Sequence, residues 1–571
     1  MKKILCALIV VSVILTIFSS CGLFMKDKEV PDGEFDMTNV VLPKANKPAD
    51  KLAVFDVRLR YGEGTSASYY YERMMIKTLQ GLVNREKPQL FIIMTDDDEF
   101  WLQELIDRKY ITGTDGERMD EIGQLLEKYK SFYKGAVVGD DGLTMGGHIG
   151  IPVAACENLI LTSDVLAEQY NMDVKENLKG KFTTNAEGVK WVWDKYKSQL
   201  NQKFFAAFHP DVLAMREGSV DYLVACKGFP IWAYENSAVK LNGVDPDADL
   251  TVLTDILMEA PTFGVCMGFW WYGAESSSKG LGEVGGVKLI NSTGKILIAG
   301  GFPNITVYSG YQKAELKQAE QPKITKLEDK LYAVLLTTDG DAQQIWYQNM
   351  NDWFTSEHYN SVPMGFGMGP ALIDLAPVMA EYYYEKTNEK NEIFCDIGVG
   401  YQVLNDLCLN KKSEKTATED EFFWYTNEYV KRMDMKEMRV YTKVGNRFDK
   451  AVIERYTSSL KGVAAIFPDW GNYVHPKYTL NEVNYTSNGI NVFHPLNTWE
   501  GGIDGLAKEI DEINQQRIDG GGGPGFAYIF VNLWYYQNMT DMKYLSEHVS
   551  KDVEFLTPSQ FTAAYDLSKN K

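Results

Sequence analysis

Hydrophobic residues change from strand-like to helix-like spacing in the first third of the chain. Residues 54–60 alternate between apolar and polar side chains, which predicts a β-strand. Apolar residues then recur at helical spacing over residues 69–83, and Pro88 is expected to stop this helix before a second strand at residues 89–95. The pattern therefore predicts a strand–helix–strand unit.

Similar units follow up to a polar stretch at residues 313–330. They run through residues 136–138, 191–200, 222–226, 230–234 and 295–299. Strands that alternate with helices are typical of an α/β protein with parallel sheets. We interpret residues 51–325 as an α/β N-terminal region of one or two domains.

The alternation becomes more regular after Leu331. Candidate strands are residues 331–338, 362–368, 393–397, 438–441, 462–467, 491–494, 526–532 and 553–556. Helical patterns lie between most of them, at residues 343–354, 371–385, 422–433, 451–460, 503–516 and 542–549. Seven or eight strands with intervening helices predict a (β/α) barrel-like domain over residues 326–571, with an open doubly wound sheet as the alternative.

The extreme N-terminus has the three parts of a lipoprotein signal peptide. Lys2 and Lys3 precede an apolar run from Ile4 to Phe18, and small residues lead to Cys21. We expect cleavage after residue 20, lipid attachment at Cys21 and a flexible tether over residues 21–50, which are rich in proline and charge. Gly22 beside the anchor favours the outer membrane, with the folded part on its periplasmic or cell-surface face.

Charge and cysteine content exclude several classes of protein. The chain has 571 residues, 58 basic and 78 acidic. Removal of residues 1–20 takes away two lysines and leaves a charge of −22, which argues against nucleic acid and anionic lipid as partners, so membrane contact is expected through the lipid anchor only. The odd number of cysteines that remains, with no CxxC pair, favours buried thiols over disulfides.

Candidate chemistry lies where the strand at residues 331–338 ends. Asp339 and Asp341 follow directly, and Gln343 comes two residues later. Neighbouring carboxylates at the carboxyl end of a parallel strand can divide acid and base roles, bind a sugar or share a metal ion. The structural alternative is that Asp341 only caps the next helix.

A second group of candidates follows the strand at residues 491–494. His494, Trp499 and Glu500 combine an imidazole, an aromatic face suited to a sugar and a carboxylate, and Trp353 could supply another aromatic contact. The chain has no HExxH, GxSxG or P-loop motif, which disfavours zinc hydrolase, esterase and nucleotide-binding chemistry.

Four motifs stand out along the chain: residues 79–85 near the start of the N-terminal region, Thr338-Asp339-Gly340-Asp341, residues 369–377 and residues 396–402. Together, and in this order, they resemble one bacterial family, the glycoside hydrolases named for their GxGYxYP motif. The resemblance implies a carbohydrate substrate and a loop formed by Asp396, Gly398, Gly400 and Tyr401. Two positions depart from the motif, because Val403 and Leu404 stand where Tyr-Pro is expected.

Three hypotheses result. The first is a cell-envelope glycoside hydrolase in which Asp339 or Asp341 works with Glu500 as catalytic pair. The second, prompted by the altered motif, is a glycan-binding lipoprotein of a sugar-uptake system without catalysis. The third is a Ca²⁺ or Mg²⁺ site at Asp339 and Asp341, although no cofactor is otherwise expected. Predicted substrate contacts are Gln343, Trp353, Asp396, Gly398, Gly400, Tyr401, His494 and Trp499.

Overall fold

The computed structural model describes most of the chain after the predicted tether. The residues described are residue 42 and residues 48–61, 69–216, 218–234, 241–270, 285–311, 316–442, 449–469, 480–497, 501–536 and 538–569. None of the helices within these ranges is long and apolar enough to cross a membrane.

Ten short strands and twelve helices make up the described part of the N-terminal half. The strands are β1 Lys51–Asp56, β2 Leu90–Ile93, β3 Gly113–Thr114, β4 Ala136–Val138, β5 Ile160–Thr162, β6 Val174–Asn177, β7 Phe204–Ala207, β8 Phe229–Ile231, β9 Gly264–Gly268 and β10 Lys295–Ile298. The helices are α1 Val57–Tyr61, α2 Tyr70–Asn84, α3 Asp96–Asp107, α4 Ile122–Lys128, α5 Gly146–Glu157, α6 Asp164–Gln169, α7 Asn185–Tyr196, α8 Pro210–Leu213, α9 Val220–Cys226, α10 Pro246–Glu259, α11 Gly285–Ser292 and α12 Ile305–Tyr308.

These strands form three separate parallel sheets. Their orders are β2-β1-β3, β5-β4-β6 and β10-β9-β7-β8. The predicted first strand at residues 54–60 was too long, because the Asp56 carboxylate accepts the backbone N–H of Arg58 at 3.0 Å and the chain turns there into α1.

Nine strands and ten helices follow in the described part of the C-terminal half. The strands are β11 Leu331–Thr337, β12 Met364–Met368, β13 Asn391–Asp396, β14 Glu437–Tyr441, β15 Ala465–Asp469, β16 Asn484–Ser487, β17 Ile490–Phe493, β18 Gly525–Val531 and β19 Val553–Leu556. The helices are α13 Gln343–Gln348, α14 Met350–Thr355, α15 Leu372–Leu375, α16 Pro377–Tyr384, α17 Lys415–Arg432, α18 Lys450–Ser459, α19 Leu480–Val483, α20 Gly502–Asp519, α21 Met539–His548 and α22 Pro558–Lys569.

All nine strands join one sheet that curls into a half-barrel. The order is β16-β17-β15-β14-β13-β12-β11-β18, and β19 also pairs with β11. Neighbours are parallel except β16 and β17, and the order follows the chain from β11 to β15 without the reversal of a doubly wound sheet. Beyond β17, Pro495 forms a parallel bridge to Tyr528 of β18, so the two ends of the curled sheet approach each other.

Helix α22 fills the amino end of the curled sheet. This helix was not among the helices predicted from the sequence. Phe561 of this helix lies 4.8 Å from the Phe493 ring and 5.8 Å from the Phe526 ring, centroid to centroid. All three side chains are buried. Because aromatic packing closes this end, the carboxyl end is where chemistry has room, as in other (β/α) sheets.

Two smaller features complete the comparison with the sequence. The helix predicted over residues 371–385 is two helices, α15 and α16, because Pro377 lacks the N–H that would continue the first one. The five described cysteines are free thiols, and four of them are buried.

Candidate functional site

The turn after β11 is pressed tightly against β12. Asp339 adopts the left-handed conformation with φ +63°, and Gly340 comes so close to β12 that a Cβ atom would lie 1.6 Å from the Gly367 carbonyl oxygen. The Gly369 N–H then donates to the Gly340 carbonyl at 3.0 Å. Only glycine fits at position 340, and this packing fixes the direction in which both neighbouring aspartates leave the strand.

Three buried ionisable side chains meet beside this turn, and we name Asp341, Asp396 and Arg439 the carboxyl-end cluster. Asp396 ends β13, and Arg439 is its register partner in β14. The Arg439 guanidinium donates from Nε to Asp396 Oδ1 at 2.6 Å, and its Nη2 lies 3.5 Å from Asp341 Oδ1. The Asp341 N–H also donates to Asp396 Oδ2 at 3.1 Å. One guanidinium therefore holds two carboxyl groups together.

Burial and charge give the two carboxyl groups different roles. Desolvation raises the pKa of Asp341 well above its ordinary value, and the nearby charge of Asp396 raises it further. Arg439 lowers this pKa only in part, since its closest contact is with Asp396. Burial and the charge of Asp396 therefore favour the protonated form of Asp341, while Asp396 and Arg439 form the ion pair.

Two tyrosines cover the other side of the guanidinium. Arg439 Nη2 donates to the Tyr441 hydroxyl at 3.1 Å, and the Tyr401 and Tyr441 rings lie 4.4 Å apart. Burial raises the pKa of Tyr441 well above its ordinary value, so this phenol stays neutral. The sequence had suggested Tyr401 as a substrate contact but had not identified Arg439 or Tyr441.

The Gly398–Tyr401 loop reaches the third N-terminal sheet. Gly398 has φ +72°, and a Cβ atom on Gly400 would lie 2.7 Å from the Leu297 carbonyl oxygen. That carbonyl accepts the Tyr401 N–H at 2.6 Å. Gly398 is thus required by its backbone conformation and Gly400 by its close approach to β10. The loop that contains them connects β10 to the carboxyl-end cluster.

Gln343 lies in the cluster's immediate surroundings. Its Nε2 donates to the Asp341 carbonyl at 2.9 Å, and its backbone N–H donates to Ala299 at 3.0 Å. The side chain is buried, yet its Oε1 has no hydrogen-bond partner within the described ranges. Gln402, directly after Tyr401, is also buried and also has an Oε1 without a partner there. These oxygens are acceptors to which a ligand hydroxyl could donate.

The other predicted site residues lie elsewhere or outside the described residues. Trp353 is buried in α14, where its ring packs 6.2 Å from that of Phe366, and it lines a cavity together with Trp534. His494 is fully buried at the end of β17, 3.4 Å from the Tyr485 hydroxyl, and burial lowers its pKa to about 3. Trp499, Glu500 and Cys21 lie outside the described residues.

No metal-binding group is found in the part of the chain that the structure describes. Within these ranges no three His, Cys, Asp or Glu side chains are arranged to hold an ion. The Arg439 guanidinium already occupies the position between Asp341 and Asp396 where a cation would neutralise both. The metal hypothesis at Asp339 and Asp341 stays a prediction.

Comparison with known proteins shows the family of this chain. Residues 329–566 match the family model described as "GxGYxYP putative glycoside hydrolase C-terminal domain", and residues 67–131 match the model for the first domain of the same family. The chain belongs to the GxGYxYP family. A search of curated proteins found no match.

A solved structure shares the fold of this GxGYxYP chain. A crystal structure of a "putative hydrolase" from Bacteroides thetaiotaomicron superposes with a TM-score of 0.73 and 17% identity, over 93% of this chain and 98% of that one. A mutant peptidoglycan deacetylase from Bacillus subtilis matches with a TM-score of 0.20 and 10% identity, over 42% of this chain and 95% of that one, and carries no argument. The first likeness shows a common fold and nothing about substrate.

The GxGYxYP signature itself coincides with the loop beside the cluster. Gly398, Gly400 and Tyr401 match the Gly, Gly and Tyr of the signature. Val403 and Leu404 stand in place of its final Tyr-Pro. Both replacements are buried, and the Val403 N–H donates to the Asn291 side chain at 3.0 Å. Val403 and Leu404, which depart from the motif, are thus packed in the interior next to α11.

Proposed function

We propose that this protein is a glycoside hydrolase in which Asp341 is the general acid. The observation that carries the proposal is a buried carboxyl group whose pKa is raised well above its ordinary value, beside a second carboxyl group that pairs with Arg439, at the carboxyl end of parallel strands. Glycosidic cleavage needs one protonated and one ionised carboxyl group, and environments that separate two pKa values are how enzymes supply them.

The proton of Asp341 would go to the glycosidic oxygen. Protonation makes the departing sugar a neutral alcohol while positive charge develops on the other ring, so the barrier falls. Asp396 would not take part in bond cleavage, because Arg439 and the Asp341 N–H already hold both of its oxygens. Its negative charge keeps the proton on Asp341, which makes Asp396 and Arg439 positioning residues.

The ionised partner is Asp339 or Glu500. Asp339 is partly exposed, and its carboxylate accepts a hydrogen bond from the Thr338 hydroxyl. Glu500 stays the second candidate from the sequence, after β17. Azide distinguishes them if the enzyme is retaining, because a nucleophile variant rescued by azide gives a glycosyl azide of inverted anomeric configuration, whereas a rescued acid/base variant gives one of retained configuration. We expect the inverted glycosyl azide from either Asp339→Ala or Glu500→Ala and not from both.

The direct test is release of reducing ends from a panel of purified glycans. The wild-type protein should release them from at least one glycan, and Asp341→Asn should lower kcat/KM by about 10²- to 10⁴-fold, the usual value of a general acid. The matched control is Asp374→Asn, an aspartate of α15 outside the cluster, which should keep most of the activity. Equal rates for wild type and Asp341→Asn would contradict the acid role.

A glycan-binding protein without catalysis is the second candidate. It is favoured by the replaced Tyr-Pro at Val403 and Leu404. It predicts that glycans bind to the wild type and to Asp341→Asn equally, with no reducing ends released by either.

We also propose that the protein is anchored to the outer membrane through a lipid on Cys21. The support is the signal-peptide pattern of residues 1–20 and the acidic composition of the rest. Cys21→Ala should move the protein from the membrane fraction to the soluble fraction of the envelope. Recovery of that variant with membranes after a high-salt wash would contradict the anchor.

A further inference from the structure

Two large aromatic side chains are exposed side by side just beyond the carboxyl end of β18. Trp534 is 57% and Tyr535 is 62% exposed, more than any other aromatic residue in the described ranges. Exposure of two adjacent large rings forgoes the hydrophobic free energy that burial of each would provide, about 1.5–3 kcal/mol for a large side chain. Such a pair suggests a binding surface more than chance.

The backbone holds these rings outward. Asn532 is buried, and its Oδ1 accepts the Trp534 N–H at 2.8 Å. The Asn532 carbonyl accepts the N–H of Tyr535 at 3.1 Å and that of Tyr536 at 3.0 Å. The Tyr536 hydroxyl then donates to the Gly502 carbonyl at 3.2 Å. The turn that carries the exposed rings is thus fixed at both ends.

Trp534 forms one wall of a cavity of about 260 Å³. Its other apolar lining residues are Leu533, next to Trp534, and Ile345, Met350 and Trp353 of α13 and α14. Asn349, between these helices, and Asp352 are polar, exposed lining residues. Small-molecule sites usually measure about 300–1,000 Å³, so this cavity suits one small ring rather than a whole oligosaccharide.

The cavity lies next to the proposed catalytic turn. The Thr338 N–H donates to the Val531 carbonyl at 2.9 Å, so β11 and β18 end side by side. Asp339 follows Thr338 directly, and Trp534 comes three residues after Val531. Ile345 of the cavity belongs to α13, whose first residue, Gln343, contacts Asp341. A chain of sugar rings bound at the cluster would have its next rings here.

We propose that this cavity is a sugar subsite, in which one pyranose ring stacks its C–H face on Trp534 and donates hydroxyl protons to Asn349 and Asp352. An apolar face with polar groups around its rim matches a pyranose, whose faces carry C–H bonds and whose edge carries hydroxyls. The role of this subsite rests on the proposed function. It would hold an outer sugar of the glycan while the scissile bond lies at Asp341.

The experiment measures binding without turnover. Cello-, manno-, malto- and chitopentaose are titrated calorimetrically into the full-length Asp341→Asn protein, alone and combined with Trp534→Ala, Tyr535→Ala or Asp352→Asn. We expect Trp534→Ala to raise the Kd of the bound pentaose about tenfold, and Asp352→Asn to raise it less. The exposed side chains should be replaceable without loss of folding.

Trp191→Ala is the matched control. This partly exposed tryptophan has Lys181 and Lys195 ammonium groups 3.8 Å and 4.6 Å from its ring centroid, so no sugar can stack in their place. It should leave the Kd unchanged. An equally unchanged Kd in Trp534→Ala, or no binding of any of the four pentaoses, would overturn the subsite. Weaker binding in Trp534→Ala with no reducing ends released by the wild type would support the subsite and contradict hydrolysis.

Discussion

Strand β13 carries a buried carboxyl group near each of its ends, with opposite consequences. At the carboxyl end of β13, Asp396 pairs with Arg439 of β14, and the pKa of neighbouring Asp341 is raised well above its ordinary value by burial. At the amino end, Glu392 of β13 and Glu437 of β14 are both buried, and burial raises the pKa of each. We name Glu392 and Glu437 the amino-end pair.

The difference lies in what closes each end. Glu392 accepts the Ser559 N–H at 2.9 Å, so it caps α22, whose aromatic side chains fill the amino end of the sheet. The carboxyl-end cluster includes a guanidinium and is followed directly by loops. A raised carboxyl pKa therefore does not identify a catalytic acid by itself, since the amino-end pair has one and serves the packing of a helix.

The largest expected difference is in enzymatic activity, between a variant of the carboxyl-end cluster and a variant of the amino-end pair. Asp341→Asn should lower kcat/KM by about 10²- to 10⁴-fold because a proton donor is lost. Glu437→Gln should leave kcat/KM within about twofold, because it changes a helix-packing residue at the other end. Both variants are measured on the glycan that the wild type cleaves. A loss in Glu437→Gln as large as that in Asp341→Asn would break the comparison.

Stability should depend strongly on the ion pair that only the carboxyl end has. Arg439→Met leaves the Asp396 carboxylate buried without its partner, and the free energy of unfolding should fall by about 3–5 kcal/mol, measured by urea denaturation. The control is Arg455→Met, which removes a half-buried guanidinium bound to Glu419 and Asp420 and should cost about 1 kcal/mol or less.

A double variant keeps this prediction testable if Arg439→Met does not fold. Asp396→Asn combined with Arg439→Met removes both charges and should be more stable than Arg439→Met alone. Equal stability of the double and single variants would show that the cost does not come from the unpaired carboxylate.

The amino-end pair should affect how the free energy of unfolding depends on pH. We expect this effect to be smaller than that of Arg439→Met. A carboxyl group whose folded pKa is raised contributes its full stability below its unfolded pKa, and this stability is lost as pH rises through the folded pKa. For Glu437, burial is the larger cause of the raised pKa and the charge of Glu392 comes next.

Glu437→Gln removes one of these two titrations. Its free energy of unfolding should stay within about 1 kcal/mol of wild type at acid pH, where Glu437 is neutral as well. It should fall less steeply than that of wild type as pH rises. Parallel stability curves for the two proteins across this range would contradict a raised pKa at Glu437.

Sequence reasoning found two of the three residues of the carboxyl-end cluster and missed the third. Asp341 was detectable because acids directly follow an apolar strand, and Asp396 because it begins a recognisable motif. Arg439 was missed, since a single charged residue inside the apolar strand at residues 438–441 reads as ordinary alternation. Its pairing with Asp396 depends on the register of β13 and β14, which no local pattern contains.

The fold was predictable to a similar extent. Regular alternation gave the strands β11–β15 because each is a short apolar run between turn residues. The antiparallel β16 was missed, since residues 484–487 are mostly polar and lie at the edge of the sheet. The role of α22 was missed as well, although Pro558 at its start and Phe561 and Ala564 on one face are a helix signal.

The most direct test of the account is to detect the proton on Asp341. Infrared difference spectra between wild type and Asp341→Asn at neutral pH report whether the lost group was a carboxylic acid or a carboxylate. We predict loss of a protonated-acid carbonyl band in this difference, with carboxylate bands unchanged, and loss of carboxylate bands in the difference for Asp339→Asn. Loss of a carboxylate band for Asp341→Asn, with no loss of an acid band, would contradict the assignment of Asp341 as the general acid.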